Sequence, residues 1–418
     1  MPSTRRWKTQ RKSMRGVFGM LVAFSTCAML AIPFRSAALD SDIGFETTVS
    51  ENLPSRPSLT GPAPGEKGKG GGLPFAVLPQ IGYGPETGPK LGVKFDGRNL
   101  FGGATFVDVN LLGALQGQIK TQLTVGNPRL GDFLVFGTAS YYRDPSMEFF
   151  GIGNNDVGPE ELSNHDIKRG RIGFTVGYRV LRRLALTLSA MYRETDVDGG
   201  KSNDSPHTPR FAPTLPGVHG GKSNYVGAAL VFNSRDEVVR PTQGWTFIVK
   251  YLSANSALWN NNTDFSKLIL DTSYTVPLVW RRQIIALHAN TEIEFGDKED
   301  IPFFELTSLG GDDSMRGYFP QRFLGKGRAL FNAEYRLKLV DFNFRKLWDV
   351  TIDGVAFGDA GRVYEDGDEF QDHFADHVRY SYGGGTRIGF SSGLVARIDV
   401  GFSPEERGLV YLTFGHTF

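Results

Sequence analysis

Cysteine is nearly missing from this chain of 418 residues: Cys27 is the only one. Cys27 lies in an apolar stretch and follows Phe24-Ser25-Thr26, a poor match to a lipoprotein cleavage site. The rest of the chain therefore has no disulfide, no thiol nucleophile and no cysteine metal site, as suits a protein that crosses an oxidising compartment unfolded. An excess of one charge is lacking too. Lys and Arg number 46 against 45 Asp and Glu, so there is no electrostatic basis for binding nucleic acid. After residue 38 no run of about eighteen apolar residues occurs, which excludes helical membrane spans there. Leu-rich helical periodicity is likewise missing, whereas glycine (52) and phenylalanine (32) are abundant. These features leave an exported all-β chain as the expected class.

Residues 1–38 read as a secretory signal peptide. Arg5, Arg6, Lys8, Arg11, Lys12 and Arg15 precede an apolar stretch from Val17 to Ile32, and Ser36-Ala37-Ala38 offers a small-residue cleavage site. The alternative, a retained anchor, needs a longer uninterrupted run. Residues 39–73 are rich in Pro, Gly, Ser and charge without periodicity, and read as a flexible leader. The folded part is expected over 74–418.

From Phe75 onward hydropathy repeats with period two. Ile172, Phe174, Val176 and Tyr178 oppose Arg169, Arg171 and Arg179; Phe331, Ala333, Tyr335 and Leu337 oppose Asn332, Glu334, Arg336 and Lys338. A soluble sandwich shows the same alternation. Three features favour a membrane barrel instead: strands longer than the globular norm, aromatics recurring near strand ends, and connections alternating between short and long. The spacing predicts sixteen antiparallel transmembrane strands, including 75–83, 132–144, 167–179, 184–195, 326–341 and 347–360, with the last at 409–418. Short turns such as Val180–Arg183 are expected at the periplasmic end, and the long stretches 145–166, 196–221, 297–325 and 361–378 outside. The final strand ends VYLTFGHTF; Tyr411, Phe414 and Phe418 resemble the C-terminal signal by which bacterial outer-membrane barrels are recognised for assembly.

The long connection before the twelfth strand carries Gly310-Gly311-Asp312-Asp313-Ser314-Met315-Arg316-Gly317-Tyr318, and the thirteenth strand carries Phe357-Gly358-Asp359-Ala360-Gly361. Together they resemble the paired motifs of the BamA/TamA superfamily of sixteen-stranded barrels, the bacterial surface antigens. Family-like spacing recurs in Gly82-Tyr83-Gly84-Pro85-Glu86-Thr87-Gly88, in Phe150-Gly151-Ile152-Gly153-Asn154 and in Ser234-Arg235-Asp236 with Pro241 and Gly244-Trp245. The resemblance implies that Gly310, Gly311, Ser314, Arg316, Gly317 and Tyr318 fold into the lumen and meet Phe357, Asp359 and Gly361, with Glu334 as a further lumen partner. Met315 departs from the usual β-branched residue before the Arg. Periplasmic POTRA domains precede the barrel in assembly and secretion members, whereas only 39–73 lies between signal and barrel here; the chain is expected to resemble the barrel-only branch.

Other constellations carry little. Gly217-Val218-His219-Gly220-Gly221-Lys222-Ser223 imitates a phosphate loop, but Pro216 stands where its first Gly is needed. His373 and His377 with Asp372 and Asp376 sit in a charged external loop, and His416 shares a face with Phe414 and Phe418 without a visible partner. No catalytic residue, metal or cofactor is expected. The resemblance implies outer-membrane protein or lipid assembly or translocation; a passive pore for small solutes is the alternative, and a surface enzyme a more distant one. Partners implied are outer-membrane lipid, the machinery that assembles this barrel, and unfolded outer-membrane or secreted clients. Mixed lumen charges, Lys94, Arg171, Lys267, Arg336, Arg387 and Arg397 against Asp96, Asp271, Glu292, Glu334, Asp359 and Asp399, favour a partly plugged interior over a selectivity ring.

Overall fold

The structure is a computed structural model; it describes residues 75–100, 104–154, 163–198, 214–237, 240–256, 261, 263–278, 282–297, 299–344, 348–365, 376–390 and 395–414. The expected signal peptide and leader, and Phe418, His416, His373 and Asp372, lie outside these residues. Sixteen strands form the wall: β1 Phe75–Gly84, β2 Gly88–Leu100, β3 Thr105–Ala114, β4 Ile119–Leu130, β5 Phe133–Phe149, β6 Ser163–Leu181, β7 Leu184–Asp198 and β8 Tyr225–Asn233, then β9 Gly244–Ala254, β10 Phe265–Pro277, β11 Gln283–Phe295, β12 Gly327–Phe344, β13 Trp348–Tyr364, β14 Arg379–Phe390, β15 Val395–Phe402 and β16 Arg407–Phe414. Each pairs antiparallel with its chain neighbours, and β1 pairs with β16, so the sheet closes on itself. Closure joins the first and last strands, as a sheet in lipid requires.

Alternation decides what faces out. Leu91, Leu111, Leu123, Ile172, Phe174, Leu186, Leu188, Phe331 and Leu339 are exposed on the outer face. A closed sheet with such an apolar outer belt is a lipid-facing barrel. Aromatics rim it: Phe133 stands opposite Tyr178 and Trp245 opposite Tyr274 at the short-turn end. Tyr141, Tyr192, Tyr251 and Phe295 rim the long-loop end. The fold is the expected sixteen-stranded all-β membrane barrel.

The interior is charged in part and apolar in part. It holds Lys94 paired to Asp108 at 3.0 Å. Along β3, β5 and β7–β10 it also carries a buried apolar cluster of Phe106, Leu134, Phe136, Ala185, Val231, Ile248 and Ile269. On β5 and β8 both faces are apolar, as in Phe133-Leu134-Val135-Phe136 and Leu230-Val231-Phe232. Inward apolar side chains pack on one another and fill that part with hydrocarbon.

Both ends are furnished as well. At the long-loop end Phe149, Ile167, Val197, Val218, Phe303 and Leu324 form a second apolar cluster joining β5–β7 to two loops. At the short-turn end the connection 234–243 is the exception to tight turns. Asp236 organises it by accepting the backbone N–H groups of Glu237, Thr242 and Gln243. From this turn Arg240 reaches Asp353 of β13 at 2.8 Å.

Candidate functional site

The sixth external loop (loop 6, 296–326) enters the lumen and folds back through a small hairpin, Thr307–Leu309 against Phe323–Gly325. Its tip is a closed turn: Gly311 N–H donates to the Tyr318 carbonyl at 3.0 Å, and Tyr318 N–H to the Met315 carbonyl at 3.0 Å. Ser314 Oγ accepts from Gly310 N–H at 3.3 Å. Gly310 has φ 113°, a conformation that side chains strain, and Gly311 follows at 101°. Gly317 lies against the wall; a Cβ there would come within 2.4 Å of the Phe402 carbonyl oxygen and 2.6 Å of Ser381 Cβ.

This approach delivers Arg316, which is fully buried. Its backbone N–H and Nε donate to Asp359 Oδ2 at 3.0 and 3.1 Å, and Nη2 donates to Oδ1 at 2.6 Å. Nη1 donates to Glu334 Oε1 at 2.5 Å. The guanidinium lies 3.5 Å from the centroid of the Phe357 ring. Forked geometry suits Arg to a carboxylate, and the aromatic face takes the remaining surface of the cation. Burial opposes the charge on Arg316, but hydrogen bonding and attraction from Asp359, then Glu334 and Asp399, outweigh it and raise its pKa above the ordinary arginine value.

The partners are held in turn. Asp359 also accepts from Asn332 Nδ2 at 2.8 Å and Ser381 Oγ at 3.1 Å. Glu334 takes Arg336 at 2.7 Å and Arg387 at 2.9 Å, and Arg387 reaches Asp399 at 2.6 Å. Arg397 pairs with Asp312 of the tip and lies 3.4 Å from Asp399. Every charge in this buried array faces its opposite, which is the condition for keeping ions out of water.

Tyr318 is buried and stacks edge-on with Phe323 at 5.1 Å. Met315 packs with Leu309, Tyr318, Phe323, Leu330 and Val363, where a flexible thioether fills an irregular gap. Gly361 stands beside the tip on β13, opposite Leu330 of β12. Tyr411, grouped in sequence with Phe414 and Phe418, departs from that grouping: it turns inward, is buried, and donates its hydroxyl to the Tyr318 carbonyl at 2.9 Å. Its odd position on a period-two strand puts it on the face opposite Phe414, so it braces the loop and is no part of an outward aromatic row. Asp376 and His377 are exposed, and among the described residues no group of three or more His, Cys, Asp or Glu is arranged to hold a metal.

Sequence reasoning missed a second set of loop contacts. Glu305, buried in a short 3-10 turn at Phe303–Glu305, accepts from Arg193 of β7 and Tyr225 of β8, each at 2.6 Å. A lone carboxylate beside Phe303-Phe304 was the only signal for it. Asn332 was also missed; it ties His288 Nδ1 (2.9 Å) to the Ser314 carbonyl (2.7 Å).

Residues 99–418 match the Omp85 superfamily domain. No protein of curated function matches the chain. The fold is similar to BamA from Haemophilus ducreyi lacking POTRA domains 1–3, at 14% identity and TM-score 0.57, over 82% of this chain and 70% of that one. It is also similar to CdiB from Escherichia coli, at 16% identity and TM-score 0.57, and CdiB from Acinetobacter baumannii, at 10% and 0.52. Each comparison covers 82% of this chain, but only 62% and 59% of the two CdiB chains, less than two thirds of their length. With a closed lipid-facing barrel and the family domain over most of its length, the chain is an outer-membrane protein and belongs to the Omp85 superfamily, whose barrels serve protein assembly or translocation.

Proposed function

We propose that this barrel inserts or translocates outer-membrane proteins or lipids sideways, through the seam between β1 and β16. The carrying observation is a contrast within the wall. Among the described residues β1 and β16 share one register pair, Tyr83 opposite Leu412. On its other side β1 runs in register with β2 from Phe75–Gly97 to Gly84–Gly88. Pro79 in β1 has no N–H to donate, which weakens the strand further. The lumen, by contrast, holds loop 6 and an apolar filling, which suits a barrel that works through its wall. Its clients would be unfolded strands or lipid; no catalytic residue is required.

A passive pore is the rival, and the polar inner side with Lys94, Asp96, Asp108 and Asn110 is what favours it. The test is a photo-crosslinking residue at Val77, exposed on β1, compared with one at Leu188, exposed on β7. The expected result is capture of unfolded barrel precursors or lipid at Val77 and not at Leu188. Equal labelling at both positions, or no client at either, removes the seam reading.

A further inference from the structure

Loop 6 is fastened at two places that share no strand. The tip is held by β12–β16, through Glu334, Asp359, Ser381, Arg397 and Tyr411. The arm leading to it, residues 299–306, is held on the facing side. Arg193 stacks 5.1 Å from the Tyr225 ring centroid while both donate to Glu305 Oε2. Lys267 Nζ of β10 donates to the Glu305 carbonyl at 2.6 Å, and Arg169 of β6 to the Phe304 carbonyl at 3.0 Å. Phe303 packs on Phe149 and His165, and its N–H donates to the Pro216 carbonyl of another loop at 2.9 Å.

We propose that Glu305 is a second and independent anchor of loop 6, a positioning residue that ties the arm to the β6–β10 side so that the loop braces the lumen from wall to wall. Releasing it frees the arm and widens the long-loop end while Arg316 stays seated. This deepens the seam reading by naming what holds the interior closed, but the anchor can be tested without any client. Glu305 is suited to the task because its side chain is wholly buried and its main partner is one cation. Removing its charge takes from Arg193 the buried carboxylate that it meets at 2.6 Å. Groups that share no partner contribute independently, so the two fastenings should respond separately.

The experiment uses the full chain in lipid nanodiscs, with spin labels at Asp132 as reference and at either Asp300 on the arm or Asp313 on the tip. Glu305→Gln should broaden the Asp132–Asp300 distance, raise the released-arm population on the order of tenfold and leave Asp132–Asp313 narrow. Asp359→Asn should do the reverse. Glu305→Asp, which keeps the charge, should restore part of the narrow arm distance. Conductance should rise in Glu305→Gln although the tip remains seated. Should Glu305→Gln fail to fold, Tyr225→Phe removes one hydrogen bond and should broaden the arm distance less. An unchanged arm distance in these variants, or arm and tip moving together in both, overturns the proposal. Should the arm release while crosslinking at Val77 finds no client, the anchor stands and the seam reading falls.

Discussion

Arg316 shows why a long loop can be ordered inside a barrel. Ordering a residue's backbone costs about 1–2 kcal/mol, so a loop of this length needs strong compensation at a few points. Arg316 supplies it by meeting two carboxylates and an aromatic face at once. The pairing of Arg316 with Asp359 is expected from their motifs, but Asn332 and Ser381, which complete the carboxylate's shell, are not. Alternation tells that a residue faces the lumen and not which residue it meets there. Asp359→Asn keeps the shape and removes the charge. It should cost about 3 kcal/mol, near the lower end for breaking a buried pair, because Glu334 still faces Arg316. Urea unfolding in vesicles measures this, and a variant as stable as the parent would show that the pair adds nothing net.

At the scale of elements the strands were legible because the lipid outside demands apolar residues at every second position. Their count and order match, but the ends of β5, β6 and β7 do not. Expected at 132–144, 167–179 and 184–195, they run to Phe149, begin at Ser163 and extend to Asp198. Beyond the aromatic rim the outward residues become polar, as with Asp166 and Asp196, and these pair with Arg143 at 3.0 Å and Lys168 at 3.1 Å. The ladder continues while the hydropathy signal that announced it fades. The apolar inner cluster was hidden for the converse reason: where both faces are apolar, period two carries no direction. Loop 6 is the element on which these two regions converge. Deleting residues 310–318 should leave the barrel folded and raise single-channel conductance in planar bilayers, since Arg316, Tyr318 and Met315 leave the lumen with it. Large, steady conductance in the parent protein would instead mean that the loop does not occlude.

At the scale of the whole molecule, the proposed route is the seam where the first and last strands meet. Elsewhere each strand is tied to its neighbours by long ladders, and on the β12–β16 side the loop tip adds a buried ionic array. Among the described residues β1 and β16 share one register pair, and Gly82 comes close enough there that a Cβ would lie 3.1 Å from the Leu412 carbonyl oxygen. With a backbone hydrogen bond worth about 1 kcal/mol net, each pair that a seam lacks lowers the cost of parting it. The β16 side is also the better braced, because Tyr411 bonds to Tyr318. Directly opposed antiparallel residues have Cα atoms about 4.5–5.5 Å apart, within the range a disulfide spans. Tyr83→Cys with Leu412→Cys should therefore form a bridge, with Cys27 the only native cysteine to compete and far from the barrel in sequence. The oxidised barrel should keep its heat-dependent migration on gels, lose client capture at Val77, and regain it on reduction. If the locked barrel captures clients as well as the reduced one, passage does not go through the seam.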